Sequence, residues 1–272
     1  MPTPEWIQIV AVTALAFAAY MRQLEAHRQL RVTLLALLAI VATWGAKLSG
    51  RWIGPHAESI LWDWLPGALM LIPYWQVGQF FTAPDPAVEA RLSHWDSIIF
   101  QQLGVKPAKT RITTSISTYL ELAYLLVYPL VPLGLIALYA TGLRSQVSFY
   151  WIVVLSATYI CFGFTLAIPA RPPRTLSEYK GFQMPPTRVR ALNREILNHA
   201  SIQAITCPSA HVASALAAAL VIVHLHTWLG TFFLWAAFSI AAATIVGGYH
   251  YVADVLLAAL IALLVFAIAS FM

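Results

Sequence analysis

Residues 248–254 read Gly-Tyr-His-Tyr-Val-Ala-Asp and open a long apolar run that continues to position 271. On a helix, the four-residue spacing puts His250 and Asp254 on one face, within hydrogen-bonding reach of each other. A carboxylate beside one ring nitrogen fixes the histidine tautomer and makes the other nitrogen a better base or nucleophile. Because an ionisable pair is costly to bury in a membrane, this pair predicts a functional site.

The composition indicates a membrane protein. Of the 272 residues, 60% are hydrophobic and 10% are charged, whereas soluble domains are about 25% charged. The net charge of +5 favours an anionic lipid or a phosphorylated substrate as partner, and we expect no nucleic-acid partner. The two cysteines, Cys161 and Cys207, do not form a CxxC pair, and Cys161 is predicted to be a small buried hydrophobic residue.

Eight segments approach the roughly 20 apolar residues that a helix needs to cross a bilayer. The third contains Pro66 and Pro73, and the fourth, with Pro129 and Pro132, is predicted to be kinked. The sequence therefore predicts an all-α, multi-span integral membrane bundle. The predicted spans are 5–20, 32–48, 60–82, 115–140, 148–168, 208–229, 231–248 and 251–271.

The two long polar connections, 83–114 and 169–207, each contain an amphipathic stretch. Their apolar residues recur at helical spacing, which is typical of helices that lie in the membrane interface. Packing on the protein's own surface explains the pattern equally well. On the first stretch, His94 and Asp96 are interpreted as solvated or interfacial residues. The apolar positions are Val88, Leu92, Trp95, Ile99 and Leu103 in one connection, and Val189, Leu192 and Ile196 in the other.

The distribution of basic residues predicts the orientation. With eight spans, the connections 21–31, 83–114 and 169–207 lie on one face and carry 13 of the 16 Lys and Arg residues. The positive-inside rule makes that face cytoplasmic.

Three segments are expected to meet on this face because spans six and eight begin where span five ends. The first is Pro169-Ala-Arg-Pro-Pro-Arg174, which follows span five. The second is Cys207-Pro-Ser-Ala-His211, which opens span six, and the third is the stretch from Gly247 to Asp254.

Each segment supplies residues suited to phosphate chemistry. The guanidinium groups of Arg171 and Arg174 match phosphate oxygens, although arginines also mark membrane boundaries. Ser209 is a candidate helix N-cap or phosphate donor. His211 follows as a candidate proton donor beside a bound anion.

The order Arg-Pro, Pro-Ser-x-His and His-x-x-x-Asp resembles the type 2 phosphatidic acid phosphatase superfamily over roughly residues 115–271. Within that superfamily, the residues of the three motifs are most similar to the inositolphosphotransferase branch, which includes fungal inositol phosphorylceramide synthase. The resemblance implies a six-helix phosphatase-type core. We therefore expect N-terminal transmembrane helices in residues 1–59 and a catalytic membrane domain in residues 60–272.

The resemblance also implies roles for the motif residues. His250 would attack phosphorus to form a phosphohistidine, Asp254 would orient it, and His211 would protonate the leaving oxygen and then activate water or an acceptor alcohol. Arg171 or Arg174 would neutralise the phosphate oxygens, and no metal or cofactor is implied.

Two further residues are candidates for contact with a lipid headgroup or an acceptor hydroxyl. They are Glu121 and Tyr124, in the fourth predicted span. For Glu121, a buried carboxylate paired inside the bundle is the competing interpretation.

The chain departs from the superfamily pattern at three positions. Phe164 and Thr244 stand where the superfamily has a lysine and an arginine, and Ala210 stands where it favours glycine. Arg174 is predicted to replace the missing positive charge. The other candidates for that replacement are Lys106, Lys109 and Arg111.

Three functions follow from these motifs. The first is hydrolysis of a lipid-linked phosphate ester, and the second is phosphotransfer to a lipid alcohol. The third, motivated by the missing cations, is non-catalytic lipid binding or transport on the same fold. A soluble, vanadate-dependent haloperoxidase is disfavoured because the cation set is too small to hold vanadate.

Overall fold

The computed structural model describes residues 3–177, 179, 181–202 and 204–271. The protein is 79% helical, and the described part has no β-strand, which confirms the predicted all-α class. Eleven α-helices are present in these ranges: α1 (Thr3–Met21), α2 (Ala26–Leu69), α3 (Leu71–Gly78), α4 (Pro86–Gln102), α5 (Thr114–Leu125), α6 (Val127–Ala140), α7 (Val147–Thr165), α8 (Arg188–Ala200), α9 (Ala210–Leu225), α10 (Thr227–Val246) and α11 (Val252–Ser270).

Five helices in the described residues are long and apolar enough to cross a membrane. A sixth span arises if α5 and α6, which meet at an angle of 58°, count as one, and this bend confirms the kink predicted for the fourth span. The five are Thr3–Met21, Ala26–Gly50, Arg144–Thr165, Thr227–Val246 and Val252–Ser270.

Two predicted spans are not single long helices. Residues 60–82 are divided between the end of α2 and the eight-residue α3, because Pro73 has no amide proton to donate to the preceding turn, whereas Pro66 is accommodated inside α2. Residues 208–229 contain α9, which has only 16 residues. It begins after Pro208, with Ser209 as its N-cap, and it ends at Leu225.

The N-terminal region folds back on itself within α2. Gly54 has φ of 80° and ψ of 160°, a backbone conformation that L side chains rarely adopt, and it reverses the chain. Arg28 Nη1 donates to the carbonyl oxygens of Gln79 and Phe81, at 2.8 and 3.0 Å. Residues 55–81 therefore return to the end of the bundle where α2 began, in agreement with the direction predicted for the third span.

Helix α9 forms the centre of the bundle and packs against α6, α7, α10 and α11. Small residues allow this close packing, and Ala213, Ala215, Ala217, Ala218 and Ala219 are all buried. Because these neighbouring helices cover α9, a helix of only 16 residues is sufficient at the centre of the bundle.

The two polar connections contain helices that pack on the protein. Helix α4 contacts α11, and α8 contacts α5. Leu92 of α4 is buried together with Ala170, Cys207 and Tyr251. The interpretation of Asp96 as a solvated or interfacial residue was wrong, because its side chain is only 6% exposed.

Candidate active site

The three predicted motif segments meet at one end of the bundle. Because each is tied to another through the main chain, their relative positions are fixed independently of side-chain rotamers, and the predicted convergence is confirmed. Two backbone hydrogen bonds join them, from Arg174 N to Gly248 O at 3.0 Å and from Ser209 N to Asp254 O at 3.3 Å. A third, from Ile205 N to Ala170 O at 3.0 Å, joins the first segment to the residues just before the second.

The turn before α11 places His250. The amides of Tyr249 and His250 both donate to the Thr244 carbonyl oxygen, at 2.8 and 3.1 Å, so the chain turns tightly at the end of α10. Gly248 makes the turn possible with φ of 69°. A Cβ atom at Gly248 would also lie 3.1 Å from the Arg174 side chain, so glycine lets this arginine approach closely.

His250 and Asp254 form the predicted pair. His250 Nδ1 lies 3.2 Å from Asp254 Oδ2, and both side chains are buried. The same carboxylate oxygen accepts the Tyr251 amide at 3.2 Å. An ionised carboxylate only accepts hydrogen bonds, so beside ionised Asp254 a neutral His250 carries its proton on Nδ1 and keeps the lone pair on Nε2.

His211 faces His250 across a cavity of about 440 Å³ that both side chains line. Their ring centroids are 6.0 Å apart and the ring planes are nearly perpendicular. Tyr124 and Tyr128 also line this cavity and approach His211 with ring centroids at 6.2 and 6.4 Å. We call this space the histidine cavity.

The two candidate arginines have different surroundings. Arg171 donates from Nε and Nη2 to the two carboxylate oxygens of Glu89, each at 2.9 Å, and this hydrogen bonding lowers the pKa of Glu89. Arg174 lines the histidine cavity, and its guanidinium carbon lies 4.5 Å from the Tyr249 ring centroid. Within the described residues, no other Lys or Arg lines that cavity.

Ser209 and Glu121 have structural partners. The Ser209 hydroxyl oxygen accepts the Val212 amide at 3.4 Å and so caps α9. Glu121 Oε2 accepts from Tyr249 Oη and Asn193 Nδ2, both at 2.6 Å. Neither residue belongs to the wall of the histidine cavity.

Tyr124 lies on that wall, stacked on the Tyr249 ring at 4.0 Å between centroids. Tyr249 therefore connects the cavity-lining Tyr124 and Arg174 to the buried Glu121 behind them. Arg190 reaches the other side of this carboxylate, with Nη1 3.8 Å from Glu121 Oε1.

The family model of the PAP2 superfamily, the type 2 phosphatidic acid phosphatases, matches residues 96–268, which is more than half of the chain. The chain belongs to the PAP2 superfamily. This membership indicates a multi-pass membrane protein with a phosphatase-type activity on lipid phosphate esters. The match covers all three motif segments but leaves out α1, α2 and α3. Comparison with curated proteins and with solved structures gave no match.

The two PAP2 positions at which this chain lacks the expected cation differ in their surroundings. Phe164 is 54% exposed on α7 and does not line the histidine cavity. Thr244 is buried on α10 and supplies the carbonyl that holds the His250 amide. Of the predicted substitute cations, only Arg174 lines the histidine cavity, whereas Lys106 lines a second cavity.

Sequence reasoning missed two acidic residues that hold the PAP2 motifs. They are Glu89, which binds Arg171, and Asp96, which accepts amides at the start of α11. Both share the face of α4 that carries Leu92, since positions three or four and seven apart lie on one helical face. Carboxylates on the otherwise apolar face of an amphipathic helix were therefore the feature of the sequence that could have identified these two residues.

Proposed function

We propose that this PAP2 protein removes phosphate from a lipid-linked phosphate ester through a covalent phosphohistidine at His250. The observation that carries the proposal is the arrangement of two histidines on one cavity, with one of them held by a buried aspartate. A nucleophile, its orienting carboxylate and a separate proton donor are the groups that such a double displacement requires.

In the first step, the lone pair on His250 Nε2 attacks phosphorus. The bond from phosphorus to the ester oxygen breaks, and His211 gives its proton to the departing alcohol oxygen. Asp254 stabilises the positive charge that develops on the His250 ring.

In the second step, water attacks the phosphohistidine. His211 takes the proton from the water, the phosphorus–nitrogen bond breaks, and inorganic phosphate leaves with both histidines restored. Arg174 lies where it can neutralise charge on the phosphate oxygens in both steps, since a fixed cation stabilises developing negative charge.

The walls of the histidine cavity support a lipid substrate. They are mainly apolar and include Leu71 and Trp75 of α3 and Tyr128 of α6. Each of these three residues is also exposed. We propose that the lipid enters sideways between α3 and α6, on the cytoplasmic face that carries most basic residues.

Transfer to a lipid alcohol is the second candidate. The apolar lining of the histidine cavity favours it, because such a lining admits a second lipid and disfavours water. In that reaction an alcohol oxygen replaces water in the second step, and His211 takes the alcohol proton.

An assay of the purified protein with a panel of lipid phosphate monoesters tests the proposal. We expect phosphate release that persists with a metal chelator and is lost in His250→Ala. The matched control is His94→Ala, which removes an exposed histidine of α4 that does not line the histidine cavity. Activity that survives in His250→Ala would contradict the mechanism.

The same assay with added diacylglycerol separates hydrolysis from transfer. Hydrolysis gives free phosphate whether or not the alcohol is present. Transfer gives a new phospholipid and little free phosphate. Binding of labelled lipid without either product would instead favour a non-catalytic role.

A further inference from the structure

The first turn of α11 receives its cap from a distant helix. Asp96 Oδ1, on α4, accepts the amide of Val252 at 2.8 Å and that of Ala253 at 3.4 Å. The first amides of a helix have no partner inside the helix, and an aspartate oxygen is among the preferred acceptors for them. Asp96 thus does for α11 what an adjacent N-cap residue ordinarily does.

These two amides lie between the proposed nucleophile and its carboxylate. Val252 and Ala253 stand between His250 and Asp254 in the chain, so a shift of this turn changes the distance between the two side chains. The adjacent residue, Tyr251, directs its hydroxyl to the Arg171 carbonyl oxygen at 3.3 Å.

Helix α4 is itself held against the other motif segments. Glu89 binds the Arg171 side chain and also accepts the Arg171 amide at 2.9 Å. Leu92, one turn further along, is buried in the same apolar cluster as Cys207 and Tyr251. Glu89, Leu92 and Asp96 therefore connect one face of α4 to all three motif segments.

We propose that Asp96 is a positioning residue that holds the His250–Asp254 pair in its reactive geometry by capping α11. It lies outside the histidine cavity and lines the neighbouring cavity on the α4 side, so it acts through α11. The proposal rests on the proposed function, because it assigns Asp96 a part in the same reaction.

The capping oxygen does not depend on a full negative charge. Burial raises the pKa of Asp96 to about 7, although the two backbone amides act in the opposite direction. A protonated carboxyl group and an asparagine amide both retain an oxygen that accepts the two amides. Asp96→Asn is therefore the conservative variant.

The test compares kcat and KM among variants of the full-length protein. We expect Asp96→Ala to lower kcat by about 10- to 100-fold, since small misplacements of reacting groups have effects of that size, with KM changed less than about twofold because the cavity wall is intact. Asp96→Asn should retain kcat within about threefold, because it keeps the capping oxygen.

Asp85→Ala is the matched control. Asp85 also caps a helix, but it caps α4 itself through the Ala87 and Val88 amides. We expect its kcat to stay near that of the wild type. A loss in Asp85→Ala as large as that in Asp96→Ala would overturn the proposal, because general loosening of α4 would then explain both.

A fourth variant covers failure of Asp96→Ala to fold. Asp96→Glu keeps the carboxyl group but displaces the oxygen by one methylene, so we expect kcat to fall while the thermal midpoint stays close to that of Asp96→Asn. Wild-type kcat in a folded Asp96→Ala would overturn the proposal, and where Asp96→Ala does not fold, wild-type kcat in Asp96→Glu would overturn it.

A failure of the proposed phosphatase function can be distinguished from a failure of the positioning role of Asp96. If the wild type releases no phosphate, the phosphatase proposal fails, and histidine-labelled NMR then tests the positioning alone. The His250 ring signal, assigned with His250→Ala, should shift in Asp96→Glu and stay in place in Asp85→Ala. An unchanged His250 signal in Asp96→Glu would overturn the positioning role.

Discussion

At the level of single residues, the orientation of His250 determines what the site can do. Its Nδ1 faces Asp254 at 3.2 Å, which leaves Nε2 as the nitrogen with a lone pair. The carboxylate is fully buried, so its charge is screened little by water. In the proposed mechanism, Asp254 therefore sets both the tautomer and the charge balance of the ring.

We predict that Asp254→Asn lowers kcat by about 10³- to 10⁴-fold. An amide in place of the carboxylate can turn its NH₂ group toward the ring, which favours the wrong tautomer. Steady-state phosphate release measures the effect, with Asp85→Asn as the control for a neutralised aspartate outside the site. A loss of less than about tenfold in Asp254→Asn would contradict the proposed role.

The two arginines should respond differently to substitution. Arg174→Ala removes the cation from the histidine cavity, so we predict a loss of about 100-fold in kcat/KM. Arg171→Ala breaks the bidentate pair with the largely buried Glu89, so we predict a lower thermal unfolding midpoint and a smaller loss in kcat/KM. The reverse order of the two kcat/KM losses would show that Arg171 binds the phosphate.

The sequence revealed those site residues whose partners lie only a few positions away in the chain. His250 and Asp254 are four positions apart, so a helix predicts their contact. The partner of Arg171 is Glu89, 82 positions earlier in the chain, and no short motif contains both residues. Ser209 left two alternatives open, and the structure supports the cap through the Val212 amide.

At the level of helices, apolar content predicted most spans but not their continuity. Residues 60–82 are apolar enough to suggest one helix, yet α2 ends at Leu69 and α3 begins at Leu71. The amphipathic pattern of α4 indicated a helix with one apolar face, but that pattern is the same whether the face meets lipid or α11. Only the tertiary structure shows that α11 covers it.

Helix α3 gives a prediction at this level, because its Trp75 lines the histidine cavity. We expect Trp75→Ala to raise KM for a long-chain lipid phosphate by about tenfold, since a large apolar contact is lost. A short-chain analogue, which does not reach α3, should be affected little.

Trp44→Ala is the control for this prediction. Trp44 is 46% exposed on α2 and Trp75 is 45% exposed, but Trp44 does not line the histidine cavity. Equal effects on KM in the two variants, or equal effects of Trp75→Ala on both chain lengths, would contradict the proposed lipid path.

At the level of the whole molecule, the N-terminal helices and the PAP2 region form one cavity. The family match begins at Asp96, but Met70, Leu71, Tyr74 and Trp75 complete the wall around the two histidines. The predicted division at residues 59 and 60 remains a prediction. The cavity shows only that the later part of the N-terminal region contributes to the site.

The orientation in the membrane is a prediction for the whole molecule. Cysteines introduced at the exposed positions Lys109 and Ser145 test opposite faces, since position 180 lies outside the described residues. A membrane-impermeant thiol reagent added to intact cells should label Ser145→Cys and leave Lys109→Cys unlabelled, as the positive-inside rule requires. The native Cys161 and Cys207 are buried and should give a low background.

The reverse labelling pattern would place the active site on the outer side of the membrane. The chemistry proposed for the histidine cavity would be unaffected, but the substrate would then come from the opposite leaflet.

The most direct test of the central proposal is to isolate the intermediate. The wild-type protein is mixed briefly with a lipid carrying a radioactive phosphate, denatured, and examined for labelled protein. We predict a label that survives alkali, is released by acid as expected of a phosphohistidine, and is absent from His250→Ala. A label that persists in His250→Ala, or turnover by the wild type with no labelled protein at any time point, would contradict the account.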